Sequence, residues 1–227
     1  MTYRGYTKEQ IAATLEHTVL KPEATKDDVV KNAQLAQQTG CAAYVVAGIN
    51  LAAAASVGGW GKTALCSVIG FPHANVSRHI LAEEAVEAVK NGVKEIDMVF
   101  PLGKYRSGEV DAVRCYIEIV CEVAHANNAI VKVILETSSL TDEEIVDACK
   151  ISEAAGADFV KTSTGYGSGG ATVEAIRLMR QTVGDRLGVK ASGGVRTLDA
   201  AIDMLEAGAN RIGTSNTLGI LGEFDTK

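Results

Sequence analysis

The sequence predicts an α/β protein, a (β/α)8 TIM barrel that forms a single domain over residues 1–227. Short apolar runs rich in β-branched residues alternate with longer amphipathic runs, which is typical of repeated βαβ units and a parallel sheet. Eight strand candidates fit within 227 residues, as a compact barrel requires. No linker or change in composition divides the chain. An open, doubly wound sheet shows the same alternation and is the alternative.

Seven strand candidates are apolar runs, and an eighth lies near the N-terminus at residues 16–19, after a short helix that begins around Thr7. The seven runs cover residues 41–46, 64–71, 95–100, 130–136, 158–164, 187–192 and 210–215.

The segments between the strands carry helix signals. In one of them four apolar residues recur at helical spacing, namely Ala82, Ala85, Val86 and Val89. Asn91-Gly92 supplies the stop for that helix. The sequence TDEE at 141–144 is a capping box, which predicts a helix that ends near Gly156, and residues 198–207 repeat the apolar pattern.

The composition excludes several functional classes. Hydrophobic residues make up 47% and charged residues 22%, which argues against disorder. The net charge of −6, without a basic run, argues against a nucleic-acid partner. Charges interrupt the N-terminal segment and glycines break the most apolar stretch, so we expect neither a signal peptide nor a membrane anchor.

The cysteines and histidines do not predict a metal site. The five cysteines are an odd number without CxxC spacing, and the four histidines share no ligand spacing. Such cysteines are typical of buried, reduced side chains. We therefore expect a cytoplasmic protein without a metal or a cofactor.

Four charged residues interrupt consecutive predicted strands that should be apolar on both faces. They are Asp97, Lys132, Lys161 and Lys190. Because side chains alternate across a strand, each charge lies opposite the apolar neighbours that face the helices, so all four can point into one barrel interior. A single strand lysine is typically an edge or snorkelling residue, but burying four charges without a function would need a costly paired network. The pattern therefore predicts a shared active site.

Three lysines and one aspartate predict a positively biased pocket. Desolvation and neighbouring positive charge both lower the pKa of a lysine. A lysine with a lowered pKa can attack a carbonyl group and form a Schiff base.

The turns after the last two predicted strands favour a phosphate site. They contain Ser192-Gly193-Gly194 and the segment 213–216, with Arg196 close by. Barrel enzymes often bind phosphate there through backbone N–H groups, although small residues also simply make tight turns.

The segment 165–170 satisfies the dinucleotide pattern GxGxxG and has Asp185 about twenty residues later. It follows the sixth predicted strand instead of the first, and Asp185 precedes a strand. We favour a flexible glycine lid beside Lys161 over a dinucleotide site.

Seven segments resemble, in order, the motifs of the deoxyribose-phosphate aldolase family, class I aldolases of deoxynucleoside catabolism: EHTVLKP, SVIGFP, EIDMV, VKVILET, ADFVKTSTG, GVKASGGVRT and RIGTS. The resemblance runs from about residue 11 to residue 216. It implies a (β/α)8 barrel that uses no metal.

The resemblance also implies roles for individual residues. Lys161 would form the Schiff base, Lys190 would lower its pKa, Asp97 would act with a water in proton transfer, and Lys132 would position Asp97 and the substrate hydroxyls. The phosphate site would comprise Gly165, Gly193, Gly194, Gly213 and Ser215. Four further residues are expected to bind substrate: Thr18, Thr162, Ser192 and Asn216.

The chain departs from the family pattern at three places. Glu16 stands where the family usually has aspartate, Val45–Gly48 replaces a cysteine followed by a polar residue and proline, and Pro101 replaces an asparagine. We expect these departures at the pocket mouth, where they would affect the substrate more than the chemistry.

The resemblance implies reversible cleavage of 2-deoxy-D-ribose 5-phosphate to acetaldehyde and D-glyceraldehyde 3-phosphate. The alternatives are a Schiff-base aldolase for another phosphorylated aldehyde and a non-catalytic sugar-phosphate-binding paralogue. The expected partner is a small-molecule sugar phosphate, without nucleic acid or membrane, and the expected assembly is a homo-oligomer, a dimer or a tetramer.

Overall fold

A computed structural model describes residues 2–227, in which eight parallel strands close into a barrel. The barrel strands are β3 (Leu15–Val19), β4 (Ala43–Ala47), β5 (Ala64–Ile69), β6 (Glu95–Val99), β7 (Ile130–Ile134), β8 (Phe159–Lys161), β9 (Gly188–Ser192) and β10 (Arg211–Thr214). Neighbours in the chain are neighbours in the sheet, and β10 pairs with β3 to close it, with Ile212 opposite Leu15. The (β/α)8 prediction is confirmed, and the open-sheet alternative is wrong.

A short antiparallel hairpin precedes the barrel, and the sequence patterns did not predict it. Its strands are β1 (Thr2–Tyr3) and β2 (Tyr6–Thr7). The two turn residues, Arg4 and Gly5, both have positive φ angles (48° and 86°). This is the backbone geometry of the tight turns that match the twist of a hairpin.

Ten α-helices accompany the strands in the described residues. They are α1 (Lys8–Ala12), α2 (Lys26–Thr39), α3 (Leu51–Ala55), α4 (Arg78–Lys90), α5 (Leu102–Arg106), α6 (Val110–Ala126), α7 (Asp142–Ala154), α8 (Val173–Val183), α9 (Leu198–Glu206) and α10 (Thr217–Gly222). None of these helices is long and apolar enough to cross a membrane.

The helix signals in the sequence operate as predicted. The hydroxyl of Thr141 accepts a hydrogen bond from Glu144 N, and the Glu144 carboxylate accepts one from Thr141 N, which completes the capping box of α7. After α4 ends at Lys90, Gly92 adopts a φ of 83°, which glycine tolerates without a steric penalty.

Most strands are shorter than the apolar runs that predicted them. The largest difference is at β8, predicted over 158–164 but ending at Lys161. Beyond it, Thr162 Oγ1 donates to Ser192 O and accepts from Ser192 N, so a side chain links the loops after β8 and β9. A polar run at the carboxyl end of the strand thus leaves the sheet at the barrel mouth.

The main hydrophobic core lies between the barrel and the helices. The residues beside Asp97 and Lys132 in the sequence, such as Ile96, Met98, Val131 and Val133, are fully buried in this layer. The alternation of side chains therefore sends the charged residues inward, as predicted.

Candidate active site

Three lysine ammonium groups surround one aspartate inside the barrel. Asp97 Oδ2 lies 2.8 Å from Lys161 Nζ and 2.6 Å from Lys190 Nζ, while Asp97 Oδ1 lies 3.0 Å from Lys132 Nζ. All four side chains are buried. The prediction that these charges share one interior is confirmed.

Strand register brings the four residues together. Asp97 is directly opposite Lys132 in the β6–β7 pair, and Lys161 is directly opposite Lys190 in the β8–β9 pair. Lys161 pairs with Ile134 on its other side, two residues beyond Lys132, so it lies nearer to the carboxyl ends of the strands. Lys161 consequently lies nearer to the barrel mouth than Lys132 does.

Three further charged residues belong to this network and were missed in the sequence. Glu16 accepts a hydrogen bond from Lys190, and Glu95 Oε2 lies 2.5 Å from Lys132 Nζ. Arg211, at the start of β10, approaches Glu16 at 3.5 Å and Glu95 at 3.4 Å. Period-two alternation could have revealed Glu95, because it lies two residues before Asp97 on the same face.

The additional carboxylates correct the predicted charge of the pocket. Three buried lysines are matched by three buried carboxylates, with Arg211 at the lower edge, so the positive bias of the interior is smaller than the sequence predicted. Pairing is what makes the burial of so many charges tolerable, because an uncompensated buried ion is strongly destabilising.

The carboxylates are distributed unequally among the lysines. Lys132 approaches three of them (Glu16, Glu95 and Asp97), whereas Lys161 approaches Asp97 alone. Burial, together with repulsion from the Lys190 ammonium group, lowers the pKa of Lys161 despite the attraction of Asp97.

The pKa values of the other two lysines shift the opposite way. Burial opposes their charge, but the carboxylates of Asp97 and Glu16 outweigh it and raise the pKa of Lys132 and of Lys190. Burial likewise opposes ionisation of Asp97, but the three ammonium groups hold the pKa of its carboxyl well below its usual range. Two lysines therefore remain charged, and Lys161 is the one that most readily loses its proton.

Cys66 lies against the same carboxylate. Its Sγ is 3.4 Å from Asp97 Oδ1, and burial followed by the charge of Asp97 raises the pKa of the thiol well above its usual value. Donor atoms of Glu16, Cys66 and Asp97 lie within 4.8 Å of one another, a spacing that could hold a metal ion. However, the ammonium groups of Lys132 and Lys190 contact the same donors, which makes the cluster unfavourable for a further cation.

A cavity of about 770 Å³ opens above Lys161 at the carboxyl ends of the strands. Eight of the predicted site residues line it: Thr18, Lys161, Gly165, Ser192, Gly193, Gly194, Gly213 and Ser215. Asp97, Lys132 and Lys190 lie beneath its floor in the charged network. The cavity is located where barrel enzymes carry their active sites.

Two glycines shape the turn after β9. Gly193 and Gly194 have φ angles of 88° and 83°, so two successive residues adopt the left-handed conformation. A Cβ at Gly193 would lie 2.9 Å from Gly170 Cα, whereas a Cβ at Gly194 would meet no atom within 4 Å. Gly194 therefore presents bare backbone to the cavity, a geometry suited to an anion.

Besides Lys132, two predicted substrate-binding residues do not line this cavity. Thr162 is buried and bonded to the backbone of Ser192, so it holds two loops together. Asn216 points away, and its side chain donates to Arg196 O at 2.8 Å. Their hydroxyl and amide groups satisfy loop backbone atoms, which sequence motifs cannot distinguish from ligand contacts.

Several lining residues were not among the predicted substrate ligands. Lys21 and Arg196 supply positive charge at the rim, and Tyr166 forms part of the wall. His17 also lines the cavity, but its ring nitrogens are bonded to Thr217 and Asn32, and burial lowers the pKa of its imidazole.

The glycines of the segment 165–170 serve close packing. A Cβ at Gly167 would lie 2.9 Å from Glu136 Cδ, and one at Gly169 would lie 2.8 Å from Ser138 Cβ. The loop is thus pressed onto its neighbours, in contrast to the flexible lid that the sequence favoured. The N-terminus of α8 is already capped by the Thr172 side chain, which argues further against a dinucleotide phosphate there.

The departures from the family pattern lie away from this cavity, with one exception. Ala47 and Gly48 line a separate groove of about 450 Å³ beside β4 and β5, and Pro101 lines another cavity of about 540 Å³. Only Glu16 belongs to the charged network, where it accepts a hydrogen bond from Lys190. The expectation that all three departures shape the pocket mouth is therefore wrong for the cavity above Lys161.

Comparison with known proteins agrees with this geometry. A family model described as DeoC/LacD family aldolase matches residues 11–221. The chain belongs to this family. The aldolase resemblance in the sequence is thereby confirmed.

Curated members of the DeoC/LacD family include close relatives. A protein from Thermococcus gammatolerans named deoxyribose-phosphate aldolase is 47% identical over 93% of this chain and 95% of its own length. One of the same name from Kocuria rhizophila is 46% identical over 97% of this chain and 99% of its own.

Solved structures show the same architecture. QR15, described as an aldolase, superimposes with a TM-score of 0.90 at 37% identity, covering 95% of this chain and 96% of the other. A deoxyribose phosphate aldolase from Aeropyrum pernix, described as having a unique tetrameric structure, gives a TM-score of 0.90 at 31% identity, over 97% and 93% of the two chains.

Proposed function

We propose that this member of the DeoC/LacD family reversibly cleaves 2-deoxy-D-ribose 5-phosphate to acetaldehyde and D-glyceraldehyde 3-phosphate through a Schiff base on Lys161. One observation carries the assignment of the nucleophile. Of the three lysines around Asp97, Lys161 alone has a lowered pKa, and it alone lines the cavity. The curated relatives named for this activity support the choice of substrate.

The first half of the proposed reaction forms the Schiff base. The free amine of Lys161 attacks C1 of the open-chain aldehyde and gives a carbinolamine, which loses water and becomes an iminium ion. Lys190, kept charged by Asp97 and Glu16, disfavours the ammonium form of Lys161 in the free enzyme.

The second half breaks the carbon–carbon bond. The C3 hydroxyl loses its proton, C3 becomes the aldehyde of glyceraldehyde 3-phosphate, and the electron pair of the C2–C3 bond moves into the iminium to form an enamine. A water held at Asp97 takes the proton, because the low pKa of Asp97 suits it to orient a water more than to keep a proton itself. Protonation of C2 and hydrolysis then release acetaldehyde and restore Lys161.

The phosphate group would occupy the turns after β9 and β10. The bare backbone at Gly194 and the charges of Lys21 and Arg196 at the rim support this placement. The distance between this end of the cavity and Lys161 then fixes the length of the substrate chain.

Two competing functions are less well supported. A simple sugar-phosphate-binding protein has no need of a lysine with a lowered pKa, so the non-catalytic paralogue is disfavoured. A different phosphorylated aldehyde loses support because Ala47, Gly48 and Pro101 lie outside the cavity above Lys161. We further propose a cytoplasmic homo-oligomer, a dimer or a tetramer, and light scattering would test the assembly directly.

The experiment that tests the function combines cleavage with covalent trapping. The protein is incubated with acetaldehyde and borohydride, and peptide mapping is expected to find one reduced two-carbon adduct at Lys161. In parallel, 2-deoxy-D-ribose 5-phosphate should be cleaved by the native chain and not by Lys161→Met. Lys150→Met, which removes an exposed lysine on α7, is the matched control and should keep full activity. An adduct confined to surface lysines would overturn the mechanism.

A further inference from the structure

The side chain of Tyr166 links two loops at the mouth of the barrel. Tyr166 follows β8, which lies opposite β4 in the closed ring of eight strands. Its hydroxyl donates to Leu20 O at 2.7 Å, and its ring meets Phe71 edge-on with the centroids 5.4 Å apart. Leu20 follows β3 and Phe71 follows β5, the two strands beside β4. One side chain therefore ties together loops from both sides of the opening.

The base of Tyr166 is fixed by a buried carboxylate. Thr164 donates to Glu136 Oε2 from both its backbone nitrogen, at 3.2 Å, and its hydroxyl, which in turn accepts from Tyr166 N at 3.1 Å. Glu136 has a φ of 56°, in the left-handed region that a non-glycine residue adopts at a steric cost. The backbone strain at Glu136 is consistent with a carboxylate that is held in place to anchor this loop.

Two different surfaces meet at Tyr166. On one side lies the polar cavity that contains Lys161 and the turn at Gly193-Gly194. On the other, Phe71 packs on Val99 and Ile134 in an apolar layer of the barrel interior. The phenol ring stands between them and forms part of the wall of the cavity that leads to Lys161.

We propose that Tyr166 is a specificity-determining residue that acts as a crossbar over the cavity, excluding branched or bulky aldehydes from Lys161 while admitting a narrow, unbranched chain. The proposal rests on the Schiff-base function proposed above. In the closed state, the Tyr166–Leu20 hydrogen bond holds the loop after β3 against the loop after β8. A bulky aldehyde reaches Lys161 only when this bond opens, whereas acetaldehyde fits beneath it.

The test uses two variants of Tyr166 and one matched control. Tyr166→Phe keeps the ring on Phe71 and removes only the hydroxyl, whereas Tyr166→Ala removes the crossbar. Tyr105→Phe removes a different hydroxyl, which donates to Asp147 at 2.9 Å outside the cavity. The readout is the rate of borohydride-trapped adduct formation at Lys161 with acetaldehyde and with isovaleraldehyde, each measured separately.

The expected changes follow from the cost of one hydrogen bond. Tyr166→Phe loses the hydrogen bond to Leu20, which contributes about 1 kcal/mol. The state in which the two loops are apart should therefore be populated about fivefold more, and the isovaleraldehyde rate should rise by the same factor. Tyr166→Ala should raise that rate by about tenfold or more. In both variants the isovaleraldehyde rate should rise relative to the acetaldehyde rate, and Tyr105→Phe should behave as the native chain. A ratio of the two rates that is unchanged in both Tyr166 variants would overturn the crossbar, as would an equal loss for both aldehydes.

Amide hydrogen exchange separates this proposal from the proposed function. Exchange in residues 20–24 should be faster in Tyr166→Phe than in the native chain, and this measurement requires no substrate. If exchange is faster in Tyr166→Phe but the native chain cleaves no deoxyribose phosphate, the link between the two loops is supported and the proposed substrate is rejected. Unchanged exchange in a protein that does cleave it would reject the crossbar alone.

Discussion

Three chemically identical side chains acquire different properties within one buried cluster. Lys132, Lys161 and Lys190 all contact Asp97, and burial penalises the charge of each. Glu16 contacts Lys132 and Lys190, so these two keep their protons and the pKa of Lys161 falls. The number of carboxylates around each ammonium group thus selects the nucleophile.

Replacing Lys190 tests this selection. In Lys190→Met the repulsion that lowers the pKa of Lys161 disappears, and Asp97 and Glu16 each lose a positive partner, so both changes raise that pKa. The rate of acetaldehyde adduct formation is measured as a function of pH. The acidic limb of this pH–rate profile should move to higher pH by about one unit or more. Acetaldehyde carries no titratable group, so the limb reports the enzyme.

The double variant Lys190→Met/Glu16→Gln is the control for folding. It removes the carboxylate that loses its nearest ammonium partner in Lys190→Met, because breaking a buried ion pair costs about 3 to 5 kcal/mol. It should show a shift of the limb in the same direction as Lys190→Met with better stability. If the limb stayed in place while only the plateau rate fell, Lys190 would be a proton donor or a positioning group.

At the scale of elements, the loops at the carboxyl ends of β8 and β9 have different structural roles. The loop after β9 presents bare backbone at Gly194, while the loop after β8 is packed tightly onto residues 136–139. Glycine serves a different purpose in each: positive φ angles in the first and close approach in the second. The strands only need to hold these loops at a constant spacing.

Two substitutions of equal size at Gly194 test the anion site. The φ of 83° there is tolerated by aspartate and asparagine better than by other residues, and the position has space for a side chain. Gly194→Asp should lower kcat/KM for deoxyribose 5-phosphate by about tenfold or more through charge repulsion, with little effect on unphosphorylated deoxyribose.

Gly194→Asn carries the same shape without the charge. It should therefore retain much more of the preference for the phosphorylated sugar than Gly194→Asp. Equal effects of both variants would mean that the side chain blocks the loop sterically. An unchanged preference in Gly194→Asp would place the phosphate elsewhere.

At the scale of the whole molecule, closure of the barrel makes the interior charges mutually dependent. Residues from β3, β6, β7, β8, β9 and β10 meet in one network, which is complete only when β10 pairs with β3. A closed ring also removes the exposed strand edges of an open sheet.

This dependence predicts how stability changes with pH. Ammonium groups lower the folded-state pKa values of Asp97 and Glu16 below their ordinary values of 3.8 and 4.5. Their contribution is thus fully present above the unfolded-state values and is lost as the pH falls through the lower, folded-state values. Thermal melting should show a steep loss of stability below about pH 4.5.

Two variants isolate the buried carboxylates from general acid effects. Glu16→Gln should melt lower than the native chain at neutral pH and lose less on acidification, because one of the titrating groups is gone. Glu174→Gln, at an exposed position in the first turn of α8, should melt as the native chain does. If the melting temperature fell equally on acidification in the native chain and in both variants, the buried network would not be the cause of the acid sensitivity.

The architecture and the central residues of the site could be predicted from local patterns in the sequence. Strand and helix periodicities differ clearly, and a charge in a strand that is apolar on both faces has few explanations, so the barrel and the set of Asp97, Lys132, Lys161 and Lys190 could be inferred from local patterns. The capping box at Thr141 also depends on neighbours in the chain and was correctly predicted.

Contacts between residues far apart in the chain could not be predicted from the sequence and depend on how the barrel folds. Glu16 pairs with Lys190 across 174 positions, and Tyr166 reaches Leu20 across 146, distances along the chain over which periodicity carries no information. The assignment of Thr162 and Asn216 to loop backbone instead of the cavity is of the same kind. A residue's type and spacing fix which face of its element it occupies, whereas its partners, and therefore its pKa and its access to substrate, depend on how the barrel closes.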